Sequence, residues 1–74
     1  MTSRVQILSD VAGKVWKIEA KPGDALAIED TIMILESMKM EIPVETDKAG
    51  KLIELLVAEG DPVAEEQAVA IIEV

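Results

Sequence analysis

The chain repeats itself. Gly13-Lys14 recurs 37 residues on as Gly50-Lys51, and Gly23-Asp24 recurs as Gly60-Asp61 at the same offset. Asp10, Ala12, Ala27, Glu29, Ile34 and Glu36 meet Asp47, Ala49, Ala64, Glu66, Ile71 and Glu73 without a gap. Apolar character follows suit: Val5 with Ile42, Ile7 with Val44, Trp16 with Ile53, Ile18 with Leu55, Leu26 with Val63, Ile32 with Val69. Two copies of a 37-residue unit therefore account for the whole 74-residue chain. A unit this short cannot bury its own apolar face, so the copies must pack against each other.

Within each copy the apolar period is two, the period of a strand. Trp16 and Ile18 are expected to share an inward face, with Ile53 and Leu55 as their counterparts. The runs Thr31-Ile32-Met33-Ile34-Leu35 and Ala68-Val69-Ala70-Ile71-Ile72 are apolar on both faces. Turn residues divide the strands. Lys21-Pro22-Gly23-Asp24 has Pro and Gly placed for a type II turn, and Glu59-Gly60-Asp61-Pro62 is its expected counterpart. Ala12-Gly13 and Ala49-Gly50 read as further turns in which glycine can take positive φ. Strands are predicted near 4–8, 14–20, 26–28, 31–36, 41–45, 51–57, 63–65 and 68–73. Ala64 to Ala68 contains good helix formers, so a helix from Val63 to Ile72 is the alternative. The matching Ala27 to Thr31 segment is a poor helix and argues for strands in both copies. The expected fold is all-β: a flattened barrel or sandwich of two four-stranded antiparallel sheets with quasi-two-fold symmetry, forming one domain over residues 1–74.

Composition bounds the core and the chemistry. Half the residues are hydrophobic, yet Trp16 is the sole Phe, Trp or Tyr, so the core must be aliphatic. Cysteine and histidine are both absent, which removes disulfides, thiolate metal sites, a thiol nucleophile and the commonest general base. The formal net charge of −8 opposes binding to nucleic acid and to anionic membrane surfaces, and favours basic or mixed partner surfaces. No apolar run approaches the roughly 20 residues of a membrane span. Met1-Thr2-Ser3-Arg4 has no signal-peptide pattern. A soluble cytoplasmic protein, monomeric in isolation, is expected, and the initial Met1 favours a free-standing chain.

The seam between the copies falls after Ser37, inside Glu36-Ser37-Met38-Lys39-Met40-Glu41. Strand-forming residues lead in from Thr31 and out through Val44, leaving room only for a tight reversal. A β-hairpin follows, with Met38 and Lys39 at its tip. Loop tips usually carry small polar residues; this one carries two methionines. One could fold into a core, but both could not do so easily from a tip. Glu36 and Glu41 flank it as solvated charges, with no sign of a cleft that would make them an acid–base pair. Trp16 reads as a core residue, by its pairing with Ile53.

Met38-Lys39-Met40, preceded by Glu36 and followed by Glu41, Ile42 and Pro43, resembles the attachment motif of the biotinyl (biotin carboxyl carrier) domain family. That family more often has alanine where this chain has Ser37. The resemblance covers essentially the whole chain and implies the same flattened barrel, without the inserted thumb of some carrier domains. It implies that biotin is linked covalently to Lys39. Met38 and Met40 would be the recognised collar, and Glu36, Ser37 and Glu41 candidate contacts for the ligase. Because a lysine ammonium is a poor nucleophile at neutral pH, an external biotin protein ligase must supply activated biotin. The implied role is a non-catalytic carrier that moves an activated carboxyl group between a biotin carboxylase and a carboxyltransferase or decarboxylase, as in acyl-CoA carboxylases. The lipoyl carriers of 2-oxo acid dehydrogenases and the glycine cleavage system share the fold, but typically read Asp-Lys-Ala where this chain reads Met-Lys-Met. An unmodified interaction module or an enzyme is the remaining alternative, narrowed by the lack of His, Cys and Tyr.

Overall fold

A computed structural model describes residues 3–74. Eight strands follow one another: β1 (Arg4–Leu8), β2 (Gly13–Ile18), β3 (Ala25–Leu26), β4 (Thr31–Ser37), β5 (Met40–Glu45), β6 (Gly50–Leu55), β7 (Pro62–Val63) and β8 (Ala68–Glu73). They form two four-stranded sheets, in the orders β1-β8-β6-β3 and β5-β4-β2-β7, with every pairing antiparallel. Replacing each strand by its mate in the other copy converts one order into the other. The two-sheet, quasi-two-fold architecture expected from the repeat is therefore the fold. Among the described residues no helix is long and apolar enough to cross a membrane.

Each sheet takes two strands from each copy of the repeat. Each copy supplies one antiparallel pair of its own, β2–β4 or β6–β8, and a four-stranded sheet is completed only with the other copy, which is the structural form of the argument that a 37-residue unit cannot bury its own face. The core lies between the sheets and inherits the symmetry. Ile7, Val15, Leu26, Ile32, Met33 and Leu35 are buried, and so are Val44, Leu52, Val63, Val69, Ala70 and Ile72, each 37 residues further on. Ala20 is the thirteenth buried apolar residue, and its mate Val57 packs partly buried against the core. The two buried hydroxyls, Ser9 and Thr46, are also mates. Ser9 Oγ donates to the carbonyl of Val11 at 2.6 Å, and Thr46 Oγ1 to that of Lys48 at 2.6 Å. Satisfied within their own turns, they can be buried without an unpaired polar atom.

Besides the β4–β5 hairpin, four β-turns hold the ends of the strands, and these come in pairs. Asp24 N donates to Lys21 O at 3.1 Å around Gly23, with φ of +100°; Asp61 N donates to Ala58 O at 3.0 Å around Gly60, with φ of +92°. The first is the type II turn expected. The second spans Ala58–Asp61, one residue earlier than the sequence pattern placed it. Ala27–Asp30 and Ala64–Gln67 close the same way around Glu29 and Glu66, whose φ angles are +75° and +68°. An L-residue in this region costs on the order of 1–2 kcal/mol. The side chains of Asp30 and Gln67 offset part of it by accepting from Ala27 N and Ala64 N at 2.8 and 2.9 Å. Positive φ at Glu66 is also what interrupts the helix formers of Ala64–Ala68, so no helix forms there.

Trp16 is a correction. Expected in the core, it is 50% exposed. The pairing of β2 with β4 steps from Val15–Leu35 to Lys17–Ile34, so Trp16 is the extra residue of a β-bulge. A bulge breaks strict alternation: Val15 faces in, Trp16 and Lys17 both face out, and Ile18 turns back toward the core. The equivalent bulge in β6 falls at Ile53, and Leu52 takes the buried position instead. Bulges of the same kind at Ile32 and Val69 let two successive residues, Ile32-Met33 and Val69-Ala70, both be buried.

Gly13 and Gly50 are a second correction: both lie at strand starts and neither takes positive φ. They serve close approach. A Cβ on Gly13 would lie 2.6 Å from the Glu36 carbonyl oxygen, and one on Gly50 would collide with the Glu73 carbonyl.

The symmetry also fixes the termini. Ser37 and Met40 face each other across the β4–β5 hairpin, and their counterparts Val74 and Ser3 exchange backbone hydrogen bonds of 3.1 and 2.8 Å. Met1, the expected mate of Met38, lies outside the described residues. Val74 packs at Gly50, which pairs with Leu26, one tight turn from Thr31 at the start of β4. Ser37 is at the other end of β4, six residues or about 20 Å away. Ser3 and Val74 thus lie at the pole opposite the hairpin tip, in a body 40 Å long and 18 Å across.

Leu35→Ala and Ile72→Ala, truncations of symmetry mates that are both fully buried, are each expected to cost about 2–5 kcal/mol. Urea unfolding measures both, and a large loss at one mate with none at the other would contradict a shared core.

Candidate functional site

The site is the tip of the β4–β5 hairpin. Both strands are anchored below it: Leu35 and Val44 are buried, and β4 is paired on both sides, with β2 and β5. Pro43 lies on β5, an edge strand where its missing N–H does no harm. With Ser37 and Met40 as the last pair, only Met38 and Lys39 remain to turn the chain. Their φ angles are +51° and +66°, the double left-handed conformation of a type I′ turn. Such turns favour Asn and Gly. Here two long side chains hold that conformation, at on the order of 1–2 kcal/mol each, and the paired strands beneath sustain it.

Two further features brace the tip. Ser37 Oγ donates to the Ala12 carbonyl at 2.8 Å, tying the end of β4 to the turn before β2. Gly13, without a side chain, lets β2 start directly against the Glu36 carbonyl. Sequence reasoning singled out Ser37 only as a flanking residue and Gly13 only as a turn. The signal for Gly13 was its match with Gly50, which marks a position where symmetry imposes the same close approach twice.

The expected site residues come together at this pole. Met38 is 92% and Met40 63% exposed, so neither is a core methionine. Lys39 is exposed between them. Glu36 and Glu41 are exposed and sit directly opposite each other one pair below the tip, and Lys14 on β2 is the next residue in that cross-strand row. Among the described residues Lys39 joins no ion pair; the pair present links Lys17 to Glu19 at 3.6 Å. A primary amine on a long arm, tied to no carboxylate among the described residues, is chemically suited to an amide-linked prosthetic group. Two carboxylates on an open strand face form no enclosed site for acid–base work.

A symmetric two-sheet barrel that presents one lysine on a tight hairpin defines a prosthetic-group attachment domain. The comparisons agree. The biotin/lipoyl family model, described as "Biotin-requiring enzyme", matches residues 5–72. A Bacillus subtilis (strain 168) biotin/lipoyl attachment protein is 46% identical over 44 residues, which are 60% of this chain and 55% of that protein. Among solved structures, Kluyveromyces lactis urea carboxylase superposes with a TM-score of 0.90 at 34% identity, covering 95% of this chain and 6% of that one. A single-chain, multi-domain long-chain acyl-CoA carboxylase superposes with a TM-score of 0.85 at 22% identity, covering 92% of this chain and 7% of that one, and shares the fold. The chain thus spans about half the curated relative and a small part of each carboxylase. It belongs to the biotin/lipoyl attachment family and is similar to a part of the urea carboxylase.

Gly13→Ala and Gly50→Ala separate bracing of the tip from general stability. Each is expected to cost about 1–3 kcal/mol through overpacking. Only Gly13→Ala should speed amide exchange at Ser37 and Met40 beyond the global loss. Equal acceleration by both variants would mean that the tip has no local support of its own.

Proposed function

We propose that this domain is a biotin carboxyl carrier, with biotin joined to Lys39 Nζ by a biotin protein ligase. The observation that carries the reading is the presentation of Lys39 between two exposed methionines on a type I′ tip. The resemblance to carboxylase domains supports biotin over lipoate.

The chain's own contribution is position. The ladder of β4 and β5, the Ser37–Ala12 hydrogen bond and the close approach at Gly13 hold the Lys39 Cα in place, while the side chain stays free in solvent. As the amide forms, the Lys39 ammonium gives up two protons and with them its charge, while Glu36 and Glu41 keep theirs. Bound biotin would supply the ureido nitrogen that carries a carboxyl group. Met38 and Met40 provide a soft, adaptable apolar surface around the attachment point, suited to recognition by the ligase and by partner active sites. Ser3 and Val74 lie at the far pole, so a tether or neighbouring domain joined through them would leave the tip free to reach a biotin carboxylase and then a carboxyltransferase or decarboxylase. The acidic surface suits docking on basic or mixed faces of those partners.

Intact mass after incubation with biotin ligase, ATP and biotin tests the assignment. One biotin adduct is expected on the wild type and none on Lys39→Arg; an adduct that persists in the variant would place the site on another lysine. Lipoate is the competing cargo within the family. Changing Met38 to Asp and Met40 to Ala together is expected to reduce biotinylation and permit lipoylation, because ligases that see the same fold must discriminate by local side chains. Unchanged biotinylation would show that the methionine collar is not what the ligase reads.

A further inference from the structure

Trp16 is the chain's single aromatic residue, and the β2 bulge turns it outward. Burying an indole is worth far more than burying the charged residues beside it, so its exposure leaves a large apolar surface uncovered. It does not stand alone. Trp16 lines an open groove of about 250 Å³ with Lys14, Val15, Glu36 and Gly60. The backbone there is fixed on both sides: Gly60 N donates to Val15 O at 2.8 Å, and Val15 N to Asp61 O at 2.9 Å. Lys14 and Glu36 are cross-strand partners. The groove therefore combines an apolar platform, a cationic donor and an anionic acceptor in adjacent positions.

It also lies close to the tip. Glu36 is one pair below Ser37–Met40, the last pair before the turn that carries Lys39, so the groove begins within about 10 Å of the tip, a span within reach of a lysine side chain extended by a valeryl chain. We propose that the Trp16 groove is a resting site for the group carried on Lys39, and that it selects a bicyclic urea. This rests on the biotin reading of the tip. A cyclic urea has two N–H donors on one edge and a carbonyl acceptor between them. The Glu36 carboxylate can accept from an N–H, the Lys14 ammonium can donate to the carbonyl, and the thioether ring can lie on the indole. A dithiolane has an apolar ring but no hydrogen-bonding edge, so the same groove would hold it less well. Occupied, the groove covers Trp16 and withdraws the cargo from solvent. A partner active site that binds the ring more tightly draws it out.

The sole tryptophan makes the test direct. The wild-type chain is prepared without adduct and with biotin on Lys39, each form checked by intact mass, and Trp16 emission and acrylamide quenching are measured. Proton NMR of the adduct's ring hydrogens is recorded in the biotinylated wild type and in biotinylated Trp16→Leu. The expected result is blue-shifted emission and reduced quenching on biotinylation, with ring hydrogens shifted upfield in the wild type and not in the variant. Identical emission and quenching with and without a mass-verified biotin would overturn the resting site and leave the carrier function standing. A lipoyl adduct as the only one the chain accepts would overturn the biotin reading and this inference together.

Discussion

Everything in this molecule depends on one packing constraint: a 37-residue unit of short strands has an apolar face it cannot cover. The chain meets that constraint by supplying the unit twice and interleaving the copies, so that each sheet is built from two strands of each. The consequences are global. Bulges, glycine close approaches, nearly all core positions and every left-handed turn but the one at Met38-Lys39 occur in pairs 37 residues apart. A domain this small buries only about 60% of its unfolded surface, so it has little stability in reserve. Interleaving makes the whole core one cooperative unit rather than two marginal halves.

The same symmetry creates two equivalent poles and then distinguishes them. At one, β4 and β5 are joined by Met38 and Lys39. At the other, the strand ends that correspond to Ser37 and Met40 are Val74 and Ser3, which pair without a connecting turn between them. A two-residue turn thus distinguishes the pole that presents an amine from the pole where Ser3 and Val74 pair. The turn itself carries conformational strain, since neither residue is a glycine or asparagine. That strain is sustained because the strands below are paired and Ser37 and Gly13 brace the junction. A flexible loop would carry the same amine without fixing where its arm begins.

The sequence made the strand number, the repeat and the tip legible, because the offset of 37 leaves no gap and the apolar period is two. The exposure of Lys39 and of at least one of Met38 and Met40 followed from the shortness of the reversal; that both methionines are exposed did not. What stayed hidden is what alternation alone cannot show. Trp16 and Ile18 look like one face of a strand, and a single bulge residue puts Trp16 on the other. Gly13 and Gly50 look like turns, but their role depends on a carbonyl brought close by a strand distant in sequence. Glu66 lies among helix formers, and its left-handed φ is set by the turn it must close, with its N–H held by the Ser9 carbonyl at 2.7 Å. In each case a non-local pairing overrides a local preference. The Trp16 groove belongs with these, since it exists only because the bulge turns the indole outward.

Opposite placement of the lysine and the termini is the central geometric claim, and one distance measures it. The chain has no native cysteine, so Ser37→Cys and Val74→Cys in one molecule give two unique spin-label sites at symmetry-related positions. Pulsed electron paramagnetic resonance on that pair reads their separation in solution. The quasi-two-fold barrel predicts a single narrow distribution at or beyond about 20 Å, the length of β4. A short distance that puts both labels at one end of the molecule, or a broad distribution without a maximum, would contradict it.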